Sequence, residues 1–309
     1  MTDRRPSGKQ YLITHGAARV EIAQVGAALR HYSVDGWDVD DGFDVHERAH
    51  DGRGQVLAPW PNRLTDGQYR YGHRECQAPL DEPGRHDAIH GLVRWLDWSP
   101  VAHEDASVSL SCTLRPRPGY EWQVDLVVRY ALDDDGLTVT LEAVNVDDEP
   151  APFGAGFHPY LAVGGGPVDD AELLVPAASY LDDVSGRPTP APVRGTPHDF
   201  SRSRRIAGER LDTAYGELLR GDDGAARATL TGPDGRAVEL WVDAGFRYLM
   251  VYTADAVERP ERRRRAVAVE PMTCPPDAFR TGTDLVALAP GAVWSGGWGL
   301  RPRGPRGPA

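Results

Sequence analysis

The chain has 309 residues, 40% of them hydrophobic and 26% charged, with a formal net charge of −12, an ordinary composition with enough apolar residues for a large core. Its pI near 5.3 sets it against phosphate backbones and anionic lipid, so neither nucleic acid nor a membrane surface is expected as a partner. Lys9 is the only lysine, so Schiff-base chemistry would have to rest on one residue near the N-terminus, and no GxxxxGK[ST] nucleotide loop occurs.

The opening segment MTDRRPSGKQYLITHG lacks the apolar core of a signal peptide, and no later stretch reaches the ~18 apolar residues of a membrane span, so a cytoplasmic protein is expected. Short period-two runs follow one another: YLITHG (11–16), ARVEIAQVG (18–26), ASVSLSCTL (106–114), VDLVVRYAL (124–132) and LTVTLEAVN (137–145). In the last, Leu137, Val139, Leu141 and Ala143 alternate with Thr138, Thr140 and Glu142, as in a half-buried strand, and DDDG before it reads as a hairpin turn. ARATLTG (226–232), AVELWVDA (237–244), YLMVYT (248–253), AVAVE (266–270) and AVWSGGWGL (292–300) continue the series. With 34 Gly and 26 Pro and no sustained helical period, the chain reads as all-β, a large sandwich without internal repeats. Residues 301–309, RPRGPRGPA, have no apolar face and are expected to be a disordered tail. ERPERRRR (258–265) is expected to be a solvated hairpin loop, its arginines an alternative anion site. Cys76, Cys112 and Cys274 lack CxxC spacing and read as buried thiols.

Polar residues sit in aromatic or apolar settings at five places: Asn62 and Arg63 in APWPNRL, His86, His90 and Arg94 in HDAIHGLVRW, His158 in GAGFHPYL, Trp241 and Asp243 in ELWVDAGF, and Glu270 in VAVEPM. Rings beside fixed donors and carboxylates suit a sugar, whose C–H face lies on aromatics while its hydroxyls need partners. Each residue also has an ordinary reading: His158 as a hydrogen-bonded core histidine, Arg63 as the partner of a carboxylate, Glu270 as a solvated strand end. His86 and His90 share the i, i+4 spacing of the HExxH zinc helix, but Asp87 replaces the glutamate and Pro83, Gly84 and Gly91 oppose a helix, so no metal site is expected.

Taken together, PWPNRL, HGLVR, GFHPYL, LDTAYGEL, WVDAGFRYLMVYT, VEPMTCPPDAF and LAPGAVWSGGWGL resemble, in order and spacing, the aldose 1-epimerases, the galactose mutarotase-like proteins. The resemblance runs from about residue 17 to 300 and implies one β-supersandwich domain of antiparallel sheets over residues 1–300. It implies Glu270 as general base and His158 as general acid of pyranose ring opening, with His90 as a second active-site histidine. Arg63 and Asp243 resemble the hydroxyl binders, Asn62 stands beside Arg63, and Trp241 shares a strand face with Asp243. No metal or organic cofactor is implied, and the partner is a small-molecule sugar; exposed edge strands leave a homodimer open. The wording resembles a bacterial side branch that includes sulfoquinovose mutarotase-like proteins more than the galactose mutarotases proper, and in that branch Arg94 or Arg280 would be candidates for a sulfonate. A carbohydrate-binding sensor on the same fold and a metal-dependent hydrolase built on HDAIH are the alternatives.

Overall fold

The computed structural model describes residues 4–162, 164–182 and 188–304. All ten predicted strands form. Ser99–His103, Ser107–Leu114, Val124–Asp133, Gly136–Asn145, Val293–Arg303, Ala237–Val242, Ala226–Thr231, Glu172–Leu174 and Arg204–Arg205 make a nine-stranded antiparallel sheet in that order. Its long strands are buried at every second residue, so one face meets the core and the other meets water. A second, eight-stranded sheet runs Thr189–Pro192, Ala177–Asp182, Asp212–Leu218, Tyr248–Tyr252, Ala266–Met272, Gly156–Phe157 and Val56–Leu57, with Tyr160–Ala162 also paired to Ala266–Met272. Gln10–His15, Ala18–Ala23, Leu29–Val34 and Trp37–Asp38 form a four-stranded N-terminal sheet.

One continuous apolar core joins the layers. Phe157 of the eight-stranded sheet meets Trp298 of the nine-stranded sheet with ring centroids 5.1 Å apart, an aromatic contact that fixes the spacing of the two sheets as well as burying area. The fold is the all-β supersandwich that the strand pattern and the resemblance implied.

Two terminal and loop expectations change. Arg301–Arg303 are not a tail: the last strand continues through them, with Glu239 opposite Arg301 and Ala237 opposite Arg303. Strand pairing satisfies their backbone and Glu239 lies near both arginines, which offsets the missing apolar face; residues 305–309 lie outside the described residues. The arginine run is the expected hairpin connection, between Tyr248–Tyr252 and Ala266–Met272, with Arg263 and Arg265 exposed, but two of its arginines are tied into the fold. Arg264 pairs with Asp169 and Asp255 and donates to the carbonyls of Ala207 and Glu209, while Arg262 donates to Asp41 and to the Gly42 carbonyl. These side chains pin three segments distant in sequence to the eight-stranded sheet.

Candidate active site

The site is set by register. Gly156 pairs with Met272 and Tyr160 with Ala268 on the same antiparallel strand. Counting inward from both pairs puts His158 opposite Glu270. The strand is interrupted there by His158–Pro159, where proline has no N–H to give the ladder, and the two side chains turn toward each other, His158 Nε2 lying 3.3 Å from Glu270 Oε1. All seven residues of Ala266–Met272 are buried, with Glu270 2% exposed. The solvated reading of this acid is therefore wrong.

His90 joins from a second direction. Arg63–Thr65 and Asp87–Ile89 form a two-stranded ribbon, at whose end Asn62 and His90 both take the left-handed conformation, φ 56° and 62°. The Asn62 backbone N–H donates to His90 Nδ1 (3.2 Å) and the His90 N–H donates to the Asn62 carbonyl (2.9 Å). Gly91 follows with φ 70°, where a Cβ would lie 2.1 Å from the Ala58 carbonyl oxygen, so the turn requires glycine. The His90 and His158 rings meet edge to face at 5.2 Å. HDAIH is thus a strand and a turn, not a zinc helix, and His86 points away to Asp66.

His90, His158 and Glu270 bring nitrogen and oxygen atoms within 4.8 Å of one another, which invites a metal. The donor set fits one poorly. A His90 Nδ1 that accepts from a backbone N–H fixes the neutral ring with its proton on Nε2, leaving no lone pair there for a cation.

The loop after Glu270 is clamped at both ends. Thr273 Oγ1 accepts from the Ala155 N–H (2.9 Å), and Asp277 receives the Thr65 N–H (3.1 Å) while its own N–H donates to the Arg63 carbonyl (2.8 Å). Arg280 is bonded to Asp277 and does not line the cleft; Arg94 does, with its guanidinium on Asp81 at 2.6 Å.

These groups open into a cleft of about 760 Å³ lined by Asn62, Arg63, His90, His158, Tyr160, Asp212, Tyr252 and Glu270, among others. Arg63 is held by a fork to Glu82, at 2.7 and 3.1 Å; burial pulls its pKa down, but Glu82 more than reverses this and the guanidinium stays charged. Asn62 Oδ1 is taken by the Arg63 N–H (2.8 Å), so its carbonyl oxygen holds the turn.

Asp243 and Trp241 do not belong to this site. Val238, Leu240 and Val242 fill the core, so Trp241 faces outward on the nine-stranded sheet, and Asp243 accepts the N–H groups of Gly245 (2.8 Å) and Gly297 (2.6 Å). Both line a separate hollow with Asp223, Arg227 and Arg301. Their shared parity is real, but their strand lies in the other sheet. Among the acids that do line the cleft, Asp212, in the LDTAYGEL motif, lies 4.0 Å from Arg63 Nη1. Its signal was a carboxylate at the start of a strand whose next four residues are buried, as Glu270 was a carboxylate after a run of buried residues.

Burial raises the Glu270 carboxyl well above its ordinary 4.5, and the nearby Asp212 charge adds to this against Arg63. Burial and the Arg53 cation push His158 down to about 3. His90 is also well below its usual value, through burial and the neighbouring His158, Arg94 and Arg63. The Glu270 and His158 shifts both run toward the uncharged forms, a neutral carboxyl on Glu270 and a neutral imidazole on His158. That pair contains the same protons as carboxylate plus imidazolium, so one proton crossing the 3.3 Å gap would interconvert the two.

The sequence model of the family Aldose 1-epimerase matches residues 9–300. YihR of Escherichia coli (strain K12), an uncharacterized protein, is 31% identical over 294 residues, covering 94% of this chain and 92% of YihR. YphB of the same organism, also uncharacterized, is 24% identical over 311 residues, covering 94% and 98%. In structure the chain is similar to the GalM/aldose epimerase homologue from C. elegans, with a TM-score of 0.84 at 17% identity over 96% of this chain and 99% of that one. It is likewise similar to galactose 1-epimerase from Lactobacillus acidophilus NCFM, with a TM-score of 0.80 at 20% identity over 99% and 98%. A match over nearly the whole length, together with the fold, makes this chain a member of the aldose 1-epimerase family, isomerases that act on sugars.

Proposed function

We propose that the chain interconverts the α and β anomers of a free hexopyranose, with Glu270 and His158 as the acid–base pair. The observation that carries this reading is their placement, opposite in register, 3.3 Å apart and buried at the floor of one cleft.

With the closed ring bound, the reactive form of the pair is carboxylate plus imidazolium, reached from the neutral pair when the Glu270 proton crosses the 3.3 Å gap to His158. Glu270 takes the proton from the C1 hydroxyl as His158 delivers one to the ring oxygen, and the C1–O5 bond breaks to the open aldehyde. The protein then holds the neutral carboxyl and neutral imidazole. Rotation about C1–C2 presents the other carbonyl face, O5 attacks C1, His158 recovers its proton from O5 and Glu270 returns one to O1. No proton is gained from or lost to water over the cycle. His90, with its proton on Nε2, donates to the ring oxygen or an adjacent hydroxyl; Arg63 and Asp212 take other hydroxyls as donor and acceptor.

The test is anomer exchange of freshly dissolved α-glucose and α-galactose by polarimetry or exchange NMR, with and without EDTA. Sulfoquinovose belongs in the same series, because Arg94 lines the cleft. Enzyme-dependent exchange indifferent to chelator is the expected result. Saturable sugar binding with no exchange would instead make the chain a sensor, and loss of activity on chelation would return the metal-dependent alternative.

A further inference from the structure

His158 is held by more than its own strand. Tyr160 stacks on its ring at 5.0 Å and 18°. Gly52 closes on it so tightly that a Cβ at that position, where φ is +73°, would lie 2.7 Å from His158 Cδ2. The Gly54 N–H donates to the His158 carbonyl (2.9 Å), and the Tyr160 hydroxyl donates to the Asp51 carbonyl (3.2 Å). Behind Tyr160, the Arg53 guanidinium lies 4.0 Å from the ring centroid. Arg53 is 1% exposed and is fixed by the Asp41 carbonyl (2.9 Å), the Asp41 carboxylate (2.8 Å) and Asp51 (3.3 Å). Asp41 in turn receives Arg262 at 3.2 Å, so the arginine run anchors the far end of the stack.

We infer that the DGRG turn, residues 51–54, together with Tyr160, is the positioning device for His158: Gly52 and Tyr160 fix the imidazole plane, and Arg53 sets a permanent positive charge behind it. This rests on the acid role given to His158 above. A buried guanidinium would normally be a burden unless paired, and here the pairing also aims its charge through an aromatic ring. Its effect is to destabilise the imidazolium. Once the Glu270 proton has crossed to it, a histidine so placed gives that proton up more readily to a weakly basic ring oxygen than a relaxed imidazolium would. The charged and titratable groups near His158 are Glu270 from its own sheet, His90, Arg63 and Arg94 from the ribbon side, and Arg53, Asp51 and Tyr160 from the turn; Arg53 is the cation that most strongly opposes imidazolium formation. Gly52 and Arg53 were not singled out in the sequence, because both sit among ordinary turn residues, and Tyr160 was visible there only as a flank of His158 in GFHPYL.

The test uses Arg53→Met, Arg53→Lys, Tyr160→Leu and Gly52→Ala in the full chain. Arg53→Met should lower kcat about 10- to 100-fold, the scale of a small misplacement of a catalytic group, with KM within about threefold. Arg53→Lys, which keeps the charge, should recover part of the loss. In chains carrying ¹³C-labelled histidine, with His158 assigned through His158→Asn, the His158 titration should move to higher pH in Arg53→Met and stay low in Arg53→Lys. Should Arg53→Met leave Asp41 and Asp51 unpaired and fail to fold, Arg53→Met/Asp41→Asn and Tyr160→Leu take its place with the same readouts. A folded variant with kcat and the His158 titration both unchanged overturns the inference, as does a loss of thermal stability with no kcat effect. The titration does not depend on turnover, so a wild-type chain inactive on every sugar would refute the proposed function while leaving this result readable.

Discussion

Glu270→Gln should abolish most activity and at the same time make the protein more stable. The substitution keeps the shape of a side chain that is 2% exposed and removes only the ability to exchange a proton. Losing a general base costs typically ~10²–10⁴ in rate, so anomer exchange should fall by about that factor with KM nearly unchanged. The stability effect follows from the raised Glu270 pKa. Above the ordinary value of 4.5 the unfolded chain releases this proton while the folded chain keeps it, so the folded state binds more protons and its stability falls as pH rises. A glutamine has no such dependence and the variant escapes it at neutral pH. Each ~1 kcal/mol recovered should appear as roughly 2 °C in Tm for a chain of this size. Calorimetry at pH 5 and pH 8 tests the linkage: the Tm gain over wild type should be larger at pH 8. A variant that is less stable than wild type at both pH values, or one that retains full exchange activity, refutes the account of Glu270 as a buried proton-exchanging carboxyl.

Three further outcomes follow from the site. Because His158 is held down to about 3 by burial and Arg53, the acid limb of kcat should lie well below the 6.5 of an ordinary imidazole, and the alkaline limb should mark loss of the proton shared with Glu270; a stopped-flow polarimetric profile with an acid limb near 6.5 contradicts this. Asp212→Asn should raise KM about tenfold by weakening one hydroxyl contact and, by removing a charge that raises the Glu270 pKa, move the alkaline limb to lower pH, whereas Asp243→Asn should leave both parameters unchanged; the reverse pattern would reinstate Asp243. Arg264→Ala should destabilise the fold by about 2–4 kcal/mol in urea titrations, since two carboxylates and two carbonyls lose their donor, and a change below about 0.5 kcal/mol would mean that the Arg264 pairs are worth no more than surface ion pairs.

What was legible in the sequence was whatever depends on short-range pattern. Period-two alternation located the ten main strands, and Pro and Gly marked turns such as the one at Gly91. Glu270, His158, His90, Arg63 and Asn62 were each visible as polar residues inside apolar motifs, and all five meet at the cleft. Asp243 was misplaced because parity along a strand says which residues share a face but not which sheet the strand joins. Its strand pairs with Val293–Arg303, and that pairing is long-range. Asp212 was overlooked for the converse reason, since its motif was noted but its carboxylate acquires meaning only beside Arg63 and Glu270. The same limit hid the arginine run, whose partners lie up to 221 residues away.

The coupling between fold and chemistry is closer than a scaffold carrying a site. His158 faces Glu270 because two short strands, Gly156–Phe157 and Tyr160–Ala162, share one partner in a continuous register. A slip by a single residue would reverse the face of every side chain and part the pair, so whatever pins the register also pins the proton path. The hydrogen bonds of Thr273 with Ala155, of Asp277 with Arg63 and Thr65, and of Tyr160 with Asp51 all act at the margins of that paired strand. They belong to no contact with substrate. Their loss should nonetheless appear first in kcat, because displacement of the acid by about 1 Å costs rate before it costs the many apolar contacts that hold the core.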